Sequence, residues 1–347
     1  MKNNLFKEIF KNKLGFMALL ILCSLYTSVA FAPFFAPYSY DDDDVLSSYA
    51  PPTKVHFKGI RPVIYAKDYD VNKYYQRIYR ENESKVHPIK FFVKGEKYKL
   101  LGIECDRHFF GTEGEKIFLL GADLKGRDIL SRVLYGGRIS LSIGLIGAAI
   151  SLILGLLVGG VSGYYGGRVD NAIMRLCEMM MMVPSFYLML AMRAAFPPNL
   201  TSTQVYLLIV VILSFIGWAS TARIIRGMAI SLREREFVVA AKTLGVADIK
   251  IIIRHILPHT FSYCIVAVFL SIPGYILGEA ALSLLGLGIQ EPQASWGNLL
   301  SSAMGIVNIR LYPWILIPGL FILVTVMCFN ILGETLRDVL DPKRKIV

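Results

Sequence analysis

The chain predicts an all-α polytopic membrane protein with about six transmembrane helices and a small β-containing external insert. Three observations carry this reading: composition, the spacing of apolar runs, and the distribution of charge. Of 347 residues, 54% are hydrophobic and only 18% are charged, and the mean hydropathy of +0.52 is too high for an ordinary soluble protein. Runs long enough to cross the hydrocarbon core lie at about 15–36, 140–164, 172–195, 205–225, 262–286 and 312–334. The formal net charge of +11 is unevenly placed. Lys2, Lys7, Lys11 and Lys13 precede the first run, and Arg337, Lys343, Arg344 and Lys345 follow the last. Arg223, Arg226, Arg233, Arg235, Lys242, Lys250 and Arg254 cluster between the fourth and fifth, whereas 196–204 carries no charge. This positive-inside pattern predicts a multi-pass membrane protein with both termini and the 226–259 segment in the cytoplasm. It argues against a basic nucleic-acid surface.

Residues 1–37 hold the cytoplasmic N-terminus and first transmembrane helix. Ala30-Phe-Ala32 after a basic start resembles a signal-peptide site, but Pro33 hinders cleavage and the apolar run continues to Ala36, so the segment is expected to stay as an anchor. Residues 38–118 form the external insert. Its acidic run Asp41–Asp44 lacks the alternating spacing and turn glycine of a calcium loop and is expected to be a solvated face. Ile89–Val93, Lys94-Gly95-Glu96-Lys97 and Tyr98–Ile103 predict two strands joined by a turn. Residues 119–347 are the transmembrane core.

The sequence offers little for chemistry. Of the cysteines, Cys105 alone falls in the external region, so no disulfide framework is expected there, and none share metal-ligand spacing. Gly121 and Gly126 superficially match a phosphate loop, but Arg127-Asp128 stands where Lys-Ser/Thr would touch phosphate, and no Gly-Lys dipeptide occurs. The chain is therefore expected to be no enzyme and to bind no cofactor, and any ATP-driven work is expected to come from a partner. His255 and His259 are four apart, but Pro258 between them argues against a metal site. Glu178, near a span end, and Glu279, deep in the fifth span, are possible pathway residues, since ionisable groups at membrane depth are functional by default. Glu334 and Arg337 are expected to form an interfacial pair.

The stretch from Glu236 to Pro258 is a polar island between apolar runs. Phe237, Ala240, Ala241 and Leu244 recur at helical spacing and predict one narrow stripe whose alanines admit close approach of another protein. Gly245 is expected to end that helix, with Asp248 capping a second whose Ile249, Ile252, Ile253 and Ile256 share a face. Leu257-Pro258 is expected to close the unit. Two short helices around a glycine suit a mechanical joint.

With Ala240, Ala241, Gly245, Leu257 and Pro258 at their spacing, this stretch resembles the EAA loop of membrane subunits of binding-protein-dependent ABC importers. Val239 departs from the acid that usually precedes the alanines, the acid here being Glu236, and His255 stands where isoleucine is preferred. Leu120-Gly-Ala-Asp123 through Ser131-Arg132 and Gly137-Arg138-Ile-Ser140, with Gly163-Tyr-Tyr-Gly-Gly167, Leu285–Gln290 and Ser295-Trp296-Gly297-Asn298, is similar to the second membrane subunit of the oligopeptide and dipeptide permease branch. The long insert resembles a subgroup with an enlarged external segment. The resemblance implies a channel-forming subunit of a bacterial plasma (inner) membrane that partners a homologous permease, cytoplasmic ATPase subunits and an external solute-binding protein delivering short peptides. A nickel complex or another small solute is the alternative cargo within the family. An ATP-independent secondary transporter would require more ionisable residues at depth and an internal repeat, and a structural anchor would make the insert the active part.

Overall fold

The computed structural model describes residues 10–73, 76–100, 102–197 and 199–340. Lys2, Lys7, Lys343, Arg344 and Lys345, which support the charge argument for the termini, lie outside the described residues. In chain order the elements are α1 (Lys13–Ala30), α2 (Ala32–Phe35), β1 (His56–Lys58), β2 (Arg61–Val71), β3 (Arg77–Leu100), β4 (Ile103–Thr112), α3 (Ile129–Tyr165), α4 (Gly167–Met182), α5 (Ser185–Ala194), α6 (Ser202–Arg233), α7 (Glu236–Thr243), α8 (Asp248–Ile251), α9 (Phe261–Leu284), α10 (Trp296–Ser301), α11 (Ile306–Leu311) and α12 (Ile317–Leu340). Among the described residues, five helical runs are long and apolar enough to cross a membrane, namely α1, α3, α6, Asp248–Leu284 and Pro313–Leu340. The third expected span, at 172–195, is instead the pair α4 and α5, bent by 88°. Pro184 explains the break: it lacks an N–H for the helix ladder and drives Val183 into extended backbone.

The chain forms two compact units. One comprises 1–22, 142–282 and 324–347. Its central contact is the packing of α3 on α6, made possible by Gly155, Gly159 and Gly163 at successive four-residue steps. A methyl group at Gly159 would fall 2.4 Å from the Ala222 carbonyl oxygen, and one at Gly163 would fall 2.6 Å from Ala229 Cβ. Small residues matter here because lipid chains are as apolar as leucine, so helices associate through close packing more than by escaping water. The same helix meets α9 at Gly144 and Gly147, against Ile276 and Tyr275.

The other unit comprises 23–141 and 283–323. It holds an antiparallel sheet in the order β1-β2-β3-β4. The turn expected at Lys94–Lys97 does not form. β3 runs through it to Leu100, and the pairing with β4 merely shifts register between Lys94 and Tyr98. Gly95 serves close approach, since a Cβ there would lie 2.5 Å from the His108 ring. The acidic run, with Asp41 and Asp43 exposed and Asp42 and Asp44 half-buried, also takes part in pairing. Asp42 pairs with Lys116 at 2.8 Å, Asp43 lies 3.6 Å from Arg127, and Asp44 Oδ1 accepts from Leu46 N–H. Gly126, at φ +75, passes so close that a Cβ would meet the Asp44 carbonyl oxygen at 1.7 Å.

A polar node sits beneath these loops. Asp123 Oδ1 accepts from the N–H groups of Lys125 and Arg127, and its Oδ2 accepts from Arg127 Nε at 2.8 Å and Arg132 Nη1 at 2.7 Å. Glu291 closes it with contacts of 2.6 Å to Arg127 and 2.8 Å to Lys125. Asp128 starts α3 by accepting from the Ser131 N–H and hydroxyl. Ser295 and Asn298 form a capping box at the start of α10, and the Trp296 indole donates to the Val133 carbonyl at 2.9 Å. Two of the sequence signatures that resemble the permease branch are thus hydrogen-bonding devices within this unit.

Two predictions follow from this packing. Gly159→Val should destabilise the protein by about 1–3 kcal/mol through overpacking, seen as a lowered Tm in detergent, while Gly274→Ala, with nothing within 4 Å of its added carbon, should leave Tm unchanged. The second concerns acid. Burial pushes the Glu291 carboxyl up, but hydrogen bonds from Arg127 and Lys125 outweigh it and hold it at about 2, below the ordinary 4.5. Its contribution is complete above about pH 4.5 and is lost as pH falls toward 2. Burial lifts Asp128 from 3.8 to about 6, so its contribution has the opposite sign and grows as pH falls from above 6 toward 3.8. Melting curves from pH 7 to pH 3 should show Glu291→Gln flattening the acid loss and Asp128→Asn removing the gain.

Candidate coupling element and transmembrane cavity

Helix α7 begins after Arg235, with Glu236 in its first turn where a carboxylate complements the helix dipole. It ends at Leu244 because Gly245 takes φ +75, a backbone that L side chains rarely adopt. The Gly245 N–H donates to the Lys242 carbonyl at 3.0 Å and the Val246 N–H to the Ala241 carbonyl at 3.1 Å. That double bond pattern is a Schellman closure, with Val246 packed beside Ala241.

The second helix differs from its expectation. Ala247 occupies the N-cap and Asp248 the first helical position. Asp248 Oδ1 instead accepts from the Tyr164 hydroxyl at 2.7 Å, tying the element to α3. After α8 the backbone widens into a π-helical turn at Ile252–Ile256, tightens to a 3-10 turn at Leu257–Thr260, and continues as α9. Pro258 therefore does not close the unit. It sits in the first turn of the 3-10 segment, where its missing N–H breaks no helix, so the run from Asp248 to Leu284 is helical throughout.

The π turn also moves the isoleucine face. Ile251, Ile252 and Ile256 are buried, and Ile249 and Ile253 are exposed. Ile252 and Leu257 meet α3 at Gly160, where an added Cβ would stand 3.2 and 3.0 Å from them.

The stripe on α7 divides in two. Val238 and Ala241 are buried with Ala229, Ile251 and Ile256 in one apolar cluster, flanked by Tyr164 and Leu232. Ala241 thus faces the chain's own core, correcting the expectation that both alanines face outward. Ala240, Glu236 and Phe237 are exposed, and Leu244 is 82% exposed. Phe237 stacks on His259 with ring centroids 4.7 Å apart and planes 18° apart, and His259 Nδ1 lies 2.8 Å from the His255 carbonyl oxygen. These histidines brace the element.

Beside it lies an ion pair that sequence reasoning missed. Asp170, in the first turn of α4, accepts from the Ser162 hydroxyl at 2.6 Å and from Arg226 Nε at 2.6 Å, with Arg226 Nη2 on its other oxygen. Bidentate geometry fixes α3, α4 and α6 together around the seat of the element. A signal was present: Arg226 lies in a long apolar helix, and Asp170 follows the helix-breaking pair Gly166-Gly167.

A cavity of about 230 Å³ opens among α3, α5, α6 and α9. Its polar lining is hydroxyl-bearing: Ser151, Ser185, Ser220, Thr221, Ser271 and Tyr275. The remainder is small or aliphatic, and no charged side chain lines it among the described residues. Gly217 makes the room, since a Cβ there would lie 2.1 Å from the Tyr275 hydroxyl oxygen and 2.7 Å from Ser151 Oγ. Neither acid singled out from sequence lines this cavity. Glu178 is exposed and pairs with Arg175 at 2.9 Å, whereas Glu279 is fully buried within its unit. Glu334 and Arg337 make no ion pair with each other among the described residues. Arg337 borders a second, wider cavity that shares Ser220, Thr221, Ala267 and Ser271 with the first.

Comparison with known proteins gives concordant matches. Residues 151–346 match the family described as binding-protein-dependent transport system inner membrane component, and residues 4–52 match the N-terminal TM domain of oligopeptide transport permease C. The oligopeptide transport system permease protein OppC of Haemophilus influenzae is 35% identical over 338 residues, covering 97% of this chain and 87% of that protein. The Escherichia coli K12 protein of the same name is 42% identical over 68% of this chain and 72% of its own length. The dipeptide transport system permease protein DppC of Bacillus subtilis is 36% identical over 68% of this chain and 69% of its own.

The two neighbouring alanines should behave differently. Ala241→Leu, pushed into a filled cluster, should cost about 1–3 kcal/mol and lower Tm, whereas Ala240→Leu on the exposed face should stay within about 0.5 kcal/mol of the parent. Equal shifts for both would contradict the division of the stripe.

Proposed function

Because the chain belongs to the family of binding-protein-dependent transport system inner membrane components, we propose that it is the channel-forming permease subunit of an ATP-binding cassette importer for di- or oligopeptides. It works with a homologous permease, cytoplasmic ATPase subunits that bind the ATP, and an external binding protein that delivers the peptide. Relatives named for oligopeptide and dipeptide transport support peptide cargo over a nickel complex. The uncharged, hydroxyl-lined cavity agrees with a path that accepts varied side chains, since hydroxyls can bond backbone amides without selecting charge.

The observation that carries the coupling role is the two-sided α7. Val238 and Ala241 anchor it to the core of this chain, and Glu236, Phe237, Ala240 and Leu244 leave its other side open. An ATPase subunit that grips the open side displaces the anchored side, and Gly245 fixes the angle between α7 and α8. Because Leu257 and Pro258 lie within one continuous helical run, the displacement passes directly into α9. Movement of a rigid packed element between two states is how such a joint transmits work. Both termini and this element lie on the cytoplasmic side in this reading.

Co-purification in mild detergent tests it. Ala240→Arg with Leu244→Asp should lower recovery of the ATPase subunits roughly tenfold, or about 1.4 kcal/mol, at unchanged Tm. Gly245→Pro, which forbids a positive φ, should abolish uptake of labelled peptide while membrane insertion persists. Undiminished ATPase recovery and peptide uptake in these variants would overturn the assignment.

A further inference from the structure

Phenylalanines gather where the first membrane helix ends. Phe34 and Phe35 in α2 follow directly on α1, and Phe109 of β4 lies 5.8 and 5.6 Å from them, ring centre to ring centre. Phe91 and Phe92 of β3 extend the group, at 5.8 and 6.1 Å from Phe109. Successive strand residues ordinarily point to opposite faces. Here Phe92 has φ +56, a left-handed backbone uncommon outside glycine and costly for a bulky side chain. It interrupts the pairing, which passes from Phe91↔Phe110 to Val93↔His108. Both phenylalanines are consequently exposed, at 58% and 55%. A backbone distortion that keeps two large apolar rings out of the core marks a surface that is covered by something.

Two features say what covers it. The patch continues the membrane span itself: α1 rises for 18 residues, about 27 Å at 1.5 Å per residue, so α2 lies near the depth where the hydrocarbon core ends. The strand that carries the rings also carries exposed Lys97 and Lys99, beside Lys90 and Lys94, which pair with Glu113 at 2.8 Å and Asp106 at 3.5 Å. Lysine stems can lie along apolar surface while the ammonium reaches phosphate. We propose that the β3–β4 hairpin is a membrane-interface anchor, with Phe91, Phe92 and Phe109 seated in the headgroup–acyl boundary of the leaflet around α2 and Lys97 and Lys99 on lipid phosphates. The proposal depends only on α1 crossing a membrane, and not on the transported solute.

Tryptophan reporters in the full-length protein test it. Phe92→Trp and Phe91→Trp proteins, with Ile60→Trp as a reference on the 97% exposed β1–β2 turn, are placed in nanodiscs of phosphatidylglycerol and phosphatidylcholine. Lipids brominated near the top of the acyl chain are then substituted, and the emission of the parent protein is subtracted. The expected result is a loss of roughly half the added emission for the β3 reporters, as for rings at the boundary, and none for Ile60→Trp. Emission from the β3 reporters that is as insensitive to bromine as the reference overturns the proposal. So does emission that responds only when a soluble external binding protein is added, which would make the patch a protein dock. Because both β3 reporters keep a large aromatic ring and Ile60 is almost fully exposed, melting curves matching the parent confirm that the readout concerns a folded chain.

Discussion

Close approach of α3 to α6 at Gly155, Gly159 and Gly163 is the constraint on which the membrane-embedded part of this chain depends. Where a methyl group would collide with a carbonyl oxygen or a neighbouring Cβ, two backbones are as near as sterics allow. In lipid that proximity supplies dispersion contacts that the hydrophobic effect does not. Everything at the end of that contact inherits its precision. Gly160, on the same helix, receives Ile252 and Leu257, and Asp170 of α4 accepts from Ser162 of α3 and Arg226 of α6.

The coupling element is consequently no loose loop. It is held by an apolar cluster, by the Tyr164–Asp248 hydrogen bond, and by a ring stack between Phe237 and His259. Its one special backbone position, Gly245, sets the angle between two helices whose inner faces are both buried. Rigidity on the inner side and openness on the outer are what a transmitting joint needs, because a compliant seat would absorb the displacement it should pass on. The π turn at Ile252–Ile256 is the place where this seat is adjusted: the extra residue in the turn brings Ile251, Ile252 and Ile256 inward together.

The unit that carries the sheet uses a different economy of forces. Asp123, Arg127, Arg132 and Glu291 bring two arginines into a buried setting, where an uncompensated charge is expensive, and each is met by carboxylate oxygens within hydrogen-bond reach. Segments distant in sequence are joined there, since Glu291 follows Asp123 by 168 positions. The capping box at Ser295 and Asn298 and the Trp296 indole bond add directional contacts to the same region.

Sequence alone determined the class of this protein. Apolar run length, basic clusters and the Glu236–Pro258 spacing fix a polytopic membrane chain and point to the coupling segment, because hydropathy, charge bias and helical periodicity are local properties of the chain. Gly245 was legible for the same reason, as a glycine at the end of a periodic stripe. Tertiary structure decided which side of that stripe is free. Ala240 and Ala241 are equivalent in propensity and size, and only the position of Ala229 and Ile256 makes one a core residue and the other a surface one. Likewise the break at Pro184, the passage of β3 through Gly95, and the pairing of Asp170 with Arg226 depend on partners far away in sequence. Long-range contacts choose among conformations that local preference leaves nearly equal in free energy.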